Sequence, residues 1–202
     1  MIIAIAGGSA SGKTTVLNQL ADDYKNKGIS FISSDNYYKA QHEQFVDENG
    51  QINYDLPSAL NEGKMVKDIA DLRAGKEVFV EEYTFNNPNV TPKMLHYKPT
   101  PIIIIEGLFV FHFPNLQPLL DCKVLIQAPE EVRLERRLKR DAVERGYPAN
   151  EVMYQWENHV KPAYNKFLTP YKTSADLMVD THQNFDTDYK KLTAFINKQL
   201  QL

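Results

Sequence analysis

Residues 1–20 read MIIAIAGGSASGKTTVLNQL, and the rest of the chain is organised around what this stretch can hold. Residues 2–6 are all apolar, with Ile2, Ile3 and Ile5 β-branched, the pattern of a strand buried on both faces. Glycine, serine and alanine follow, and apolar residues return at helical spacing after Lys13. Gly7, Gly12, Lys13 and Thr14 fit G-x-x-x-x-G-K-[ST], a loop whose glycines let backbone N–H groups turn inward around phosphate oxygens. Its place between a strand and a helix N-terminus suits an anion cradle. Gly7, Gly8, Ser9, Ala10, Ser11, Gly12, Lys13, Thr14 and Thr15 are therefore the candidate triphosphate-binding residues. Lys13 would reach the β- and γ-phosphates, and the Thr14 hydroxyl would ligate Mg²⁺.

Working outward, β-branched runs predict further strands at residues 29–33, 102–105, 123–127 and 177–179. Helical patterns lie at residues 13–24, 58–72, 130–145, 150–166 and 185–200. The alternation predicts an α/β fold, a doubly wound parallel sheet of about five strands with flanking helices, in one domain over residues 1–202. Residues 36–101 depart from it, being long, polar and rich in tyrosine. Residues 77–85 have short-strand character and are expected to pair with a second short strand across NNPNVTP. An insertion of this length suits a cover over a substrate.

The bulk numbers exclude several classes. With 23 basic against 26 acidic residues the net charge is −3, a poor match to nucleic acid or an anionic membrane surface. The single cysteine, Cys122, cannot form an internal disulfide and fits a reducing compartment. Met1 leads into Ile2 without a basic leader, and the run Ile102–Ile105 is far too short to cross a bilayer. A cytoplasmic protein is expected. The histidines (His42, His96, His112, His159, His182) show no metal-ligand spacing and read as surface or pocket residues.

A phosphate loop serves several chemistries. A GTPase would want N-K-x-D, and Asn26-Lys27-Gly28-Ile29 lacks the aspartate; the D-x-x-G spacing at Asp47 falls in a polar insert. A small-molecule kinase needs a base, an acceptor pocket and a lid. Asp35, at the end of a predicted strand in FISSDNYYK, faces the crevice where α/β sheets bind ligands and can accept the proton of an attacking hydroxyl. An Asx-turn is its structural alternative. Glu106, ending IIIIEG, suits Mg²⁺, or else satisfies local N–H groups. Arg133, Arg136, Arg137 and Arg140 share one helical face in a lid segment at about 130–150. Such a face can close over a triphosphate, or be solvated with Glu135, Asp141 and Glu144 as partners. Tyr83 and Phe85, on one strand face, fit core packing and a base-stacking platform equally. A regulator that binds ATP without transferring phosphate is the rival from another class, and it would have no use for Asp35.

GGSASGKTT, SSDNYYK, YDLPSAL, IIIIEG, RLERRLKRDAVERG and VKPAYNKF together resemble the uridine kinase family over nearly the whole chain. The resemblance implies ATP-dependent, Mg²⁺-requiring phosphorylation of the 5′-hydroxyl of uridine or cytidine, in pyrimidine salvage, by a homo-oligomer, a tetramer or a dimer. It also implies roles. Asp35 would be the base and Lys13 the phosphate clamp, with Thr14, Glu106 and Asp35 on the metal side. Asp55 would hold the ribose hydroxyls, with Tyr38, Tyr83 and Phe85 around the nucleoside and Arg137 and Gln155 reaching it from the lid. Arg140 and Arg145 match lid arginines, and Asn184 falls beside the adenine of ATP. Two positions depart from the family. Pro88 stands where a pyrimidine-contacting histidine is typical, and Tyr147 where a basic residue follows ERG. Proline has no side-chain donor, so Asn86, Asn87 or Tyr147 would have to supply the hydrogen bond to the base. YDLPSALNEGKM and TPIIIIEG also resemble nicotinamide riboside kinases, an alternative acceptor class.

Overall fold

A computed structural model describes residues 1–85 and 89–201. The strands β1 (Ile2–Gly7), β2 (Ile29–Ser33), β5 (Ile102–Gly107), β6 (Cys122–Gln127) and β7 (Leu177–Asp180) form one parallel sheet in the order β2-β5-β1-β6-β7. Alternation along each strand divides two apolar layers. Ile2, Ala4, Ile103 and Ile105 pack on one face with Met65, Ile69 and Tyr164 from α2 (Glu62–Arg73) and α5 (Lys161–Phe167). Ile3, Ile5, Ile102 and Ile104 pack on the other with Val16, Leu20, Leu192 and Ile196 from α1 (Lys13–Asp23) and α6 (Phe185–Leu200). Strands covered on both sides have no polar face, which is why their sequences read as continuous apolar runs.

Register sets the site. Ser33 and Ile5 both stand opposite Glu106, and Gly7 stands opposite Ile126. The ends of β2 and β5 and the start of the phosphate loop therefore meet at one edge of the sheet. β1 lies between β5 and β6, and the chain crosses from β5 on one side of it to β6 on the other, so this edge is a topological switch point, where open α/β sheets bind ligands.

Departures from expectation have local causes. Helix α2 begins at Glu62 rather than 58, because Pro57–Ala59 makes a separate 3₁₀ turn and the Asn61 side chain caps Lys64 N–H. The helix expected over 150–166 is broken into α4 (Ala149–Gln155), a π turn (Trp156–Val160) and α5. Pro162 has no N–H to donate, and the widened turn accommodates it, with Lys161 N–H bonding to Trp156 O instead. In the insertion, β3 (Val78–Glu81) pairs antiparallel with β4 (Met94–Tyr97). Tyr83 and Phe85 lie beyond the end of β3, so they do not share a strand face. Pro88, Asn86 and Asn87 lie outside the described residues. The lid segment is α3 (Glu130–Glu144) and the start of α4. Among the described residues no helix is long and apolar enough to cross a membrane.

Candidate active site

The loop after β1 turns through Gly12, whose φ of 85° is left-handed and whose Cα lies so near Thr181 that a Cβ would come within 2.9 Å of it. Only glycine meets both demands cheaply. Thr181 Oγ1 donates to Ser11 O at 2.7 Å and accepts from Arg136 Nη1 at 3.0 Å, so the loop is anchored to the segment before α6 and to the lid helix. Lys13 Nζ is ion-paired with Glu106 Oε2, joining the loop to the end of β5. Thr14 and Thr15 are exposed in the first turn of α1, and Asn184 is exposed just before α6.

The arginines of α3 divide their work. Arg133 and Arg137 are buried, which rules out a wholly solvated face. The Arg133 guanidinium lies 3.9 Å from the Tyr164 ring centroid, and a Cβ on Gly8 would lie 2.8 Å from its Nη1. Arg137 Nη1 donates to Ser9 Oγ at 2.9 Å and Nη2 to Gln155 Oε1 at 2.7 Å, linking the phosphate loop to α4. Asp141, fully buried, pairs with Arg140 at 2.7 Å, Arg137 at 3.2 Å and Arg145 at 3.6 Å. One carboxylate thus gathers three lid arginines.

Opposite them lies a second group. Asp35 occupies a 3₁₀ turn (Ser34–Tyr37) in which Ser33 Oγ accepts the Asp35 N–H, so Ser33 is the cap and the Asp35 carboxylate is left for other work. Burial pushes the Asp35 carboxyl up to about 6, Glu106 adds repulsion, and Lys13 and Arg145 oppose the rise. Burial also raises Asp55, against Arg137, His159, Arg145 and Arg140. The lid arginines therefore face Asp55 as well as the phosphate loop. Tyr38 packs at a tilt against Tyr83, their ring centroids 4.9 Å apart, and Tyr83 lies 5.0 Å from Phe85; Arg145 sits 5.5 Å over the Phe85 ring. Asn36, next to Asp35, accepts the Tyr83 N–H at 3.0 Å and so ties the insertion to the Asp35 turn.

The expected site positions thus lie mostly along two walls: a loop carrying Lys13 that runs on into Thr14 and Thr15, and an aromatic and carboxylate wall carrying Asp35, Tyr38, Asp55, Tyr83 and Phe85. Lid residues Arg137, Arg140 and Gln155 span them. The Phosphoribulokinase / Uridine kinase family matches residues 2–188. The chain belongs to that family. The uridine kinase of Limosilactobacillus reuteri (strain DSM 20016) is 36% identical over 179 residues, covering 89% of this chain and 82% of that one. The uridine kinase of Staphylococcus carnosus (strain TM300) is 34% identical over 202 residues, covering 98% and 97%. In structure, the phosphoribulokinase from Rhodobacter spheroides superposes with a TM-score of 0.62 at 16% identity, covering 91% of this chain and 73% of that one, a likeness of fold.

Sequence reasoning missed Thr181 as an anchor of the phosphate loop, and it read Arg136 only as one of four lid-face arginines and Asp141 only as a partner on a solvated face. Asp141 left a further signal in its i+4 spacing to Arg137 and Arg145. Of the histidines read as surface or pocket residues, His159 is 4% exposed and bonded to Asp47, a partner the sequence did not suggest.

Proposed function

We propose that this protein transfers the γ-phosphoryl group of ATP to the 5′-hydroxyl of uridine or cytidine, as a pyrimidine-salvage kinase. The observation that carries the reading is Asp35, a carboxylate raised toward neutrality between the phosphate loop and an aromatic, carboxylate-bearing pocket. In the transfer the acceptor oxygen bonds to the γ-phosphorus, the bond from phosphorus to the ADP oxygen breaks, and Asp35 takes the hydroxyl proton. Lys13, Arg137 and Arg140 offset charge on the phosphoryl oxygens. Asp55 accepts from the ribose hydroxyls, Gln155 holds Arg137 in place, Tyr38, Tyr83 and Phe85 flank the base, and Asn184 lies on the adenine side.

Among the described residues no three His, Cys, Asp or Glu side chains could together hold a metal ion. Mg²⁺ in phosphoryl transfer takes one or two carboxylates and fills its shell with substrate phosphates and water. Thr14, Glu106 and Asp35 would hold it, and when bound it neutralises phosphate charge. Family likeness supports a homo-oligomer, a tetramer or a dimer, in the cytoplasm, and one kinase unit over residues 1–202. A buried free Cys122, its thiol pushed up to about 12 by burial, fits a reducing compartment.

ADP release measured with uridine, cytidine, nicotinamide riboside and purine nucleosides tests the reading. Release that depends on uridine or cytidine is expected. Release that ignores every nucleoside, or that requires nicotinamide riboside alone, would overturn it.

A further inference from the structure

The tip of the acceptor insertion is tied to the lid side by a cluster that the reaction just described does not use. Residues 45–53 form a small loop closed by the Val46–Ile52 bridge and by Asn53 N–H bonding to Phe45 O at 2.8 Å. Asp47 works in two directions from it. Its Oδ1 accepts the N–H groups of Asn49 at 2.9 Å and Gln51 at 2.8 Å, shaping the loop. Its Oδ2 accepts the Tyr154 hydroxyl at 2.6 Å and His159 Nε2 at 2.7 Å, both from the other side of the crevice. Asn49 Nδ2 donates in turn to the Tyr154 hydroxyl at 2.7 Å.

The helix had to be rebuilt for this. Tyr154 and His159 are five residues apart, and on a regular α-helix such residues point about 140° away from each other. The π turn Trp156–Val160 starts two residues after Tyr154 and includes His159, and its wider winding brings both side chains onto one carboxylate oxygen, their rings 5.8 Å apart. Such single π turns inside helices occur frequently at functional sites. The hydrogen bonds at Asp47 hold its carboxyl well below the usual carboxylate range, Tyr154 foremost, so the anion that accepts them is the resident form.

Both ends of the tie adjoin the acceptor pocket. Gln155, next to Tyr154, accepts from Arg137; His159 is buried near enough to Asp55 to favour its charged form. Tyr38, whose ring packs against Tyr83, donates to Tyr54 O at 3.4 Å in the same stretch of insertion.

Resting on the nucleoside-kinase reading, we propose that Asp47, Tyr154 and His159 form a positioning clasp that fixes the acceptor wall against the lid-side helix. The clasp sets how well the nucleoside is held and leaves the ATP half alone.

Asp47→Asn is the sharp test. The amide oxygen can still accept from Asn49 and Gln51, but an NH₂ group then faces the Tyr154 and His159 donors. Losing hydrogen bonds to a charged acceptor should raise the nucleoside KM roughly tenfold. KM for ATP, and kcat at saturating nucleoside, should stay within about twofold, since no group at the transferring phosphoryl is altered. Tyr154→Phe should act in the same direction, His159→Leu likewise, and His159→Gln, which keeps a donor, should recover part of the loss. Hydrogen exchange on ligand-free protein gives a readout independent of turnover: the amides of residues 45–53 should exchange faster in Asp47→Asn than in the parent. Unchanged exchange, or an equal rise in both KM values, would overturn the clasp. An active parent whose nucleoside KM ignores all these variants would overturn it while leaving the kinase reading intact. A parent inactive on every nucleoside would overturn that reading and the clasp's role in acceptor binding together.

Discussion

Lys13 and Glu106 form an ion pair across the phosphate loop, although 93 residues separate them in the chain. The parallel register brings them together by placing the end of β5 level with β1. The lysine that would clamp the transferring phosphate is thus preset beside the carboxylate that would share the metal. Lys13→Ala should lower kcat by ~100-fold or more, as loss of one preorganised electrostatic contact does. Steady-state kinetics at saturating ATP check this, and an unchanged kcat would mean the loop holds something other than the reacting phosphates.

Asp35 holds its proton more tightly folded than unfolded, since burial and then Glu106 raise its carboxyl from 3.8 to about 6. Stability from a group raised in this sense is fully present below the unfolded value and is lost as pH climbs through the folded one. Metal-free protein should therefore lose stability between about pH 4 and pH 6 on account of this group. Asp35→Asn should remove that share of the slope and raise Tm above pH 7 by several degrees, each kcal/mol being worth about 2–4 °C in a chain of this size. Melting curves in excess chelator from pH 4 to 8 decide it; parallel curves for parent and variant would contradict the assignment.

Asp141 is fully buried and is the shared partner of Arg137, Arg140 and Arg145. Asp141→Asn leaves three guanidinium groups repelling one another at the head of the lid. Removing one partner of a buried charge cluster costs about 3–5 kcal/mol, so both denaturant stability and kcat/KM for ATP should fall. A variant as stable as the parent would show that solvent, rather than Asp141, balances these arginines.

Much of this was legible in sequence because it is local. The phosphate loop is contiguous, the strands announce themselves as apolar runs, the buried central three most plainly, and Asp35 and Glu106 sit at or just past the ends of two of them. The unread parts are pairings across long stretches of chain: Thr181 with Ser11 at a separation of 170, and His159 with Asp47 at 112. No periodicity records such contacts. The π turn was hidden for another reason. Apolar spacing through residues 150–166 is close enough to 3.6 to read as one helix, and Pro162 marks only that something must give. Tyr83 and Phe85 share the i, i+2 spacing of a strand, yet β3 stops at Glu81 and Phe85 takes a φ of 53°. Ring contact with Tyr38 and the bond from Asn36, rather than pleating, hold Tyr83 in place.

The central claim is that Asp35 accepts the proton of a nucleoside hydroxyl during transfer from ATP. Single-turnover formation of uridine 5′-monophosphate by Asp35→Asn, with ATP affinity measured alongside and Mg²⁺ titrated, tests it most directly. The account predicts a rate loss of roughly 10²–10⁴ with ATP affinity within a few-fold of the parent, at every Mg²⁺ concentration. A variant that forms product at the parental rate, or that regains it in excess Mg²⁺, would contradict the claim.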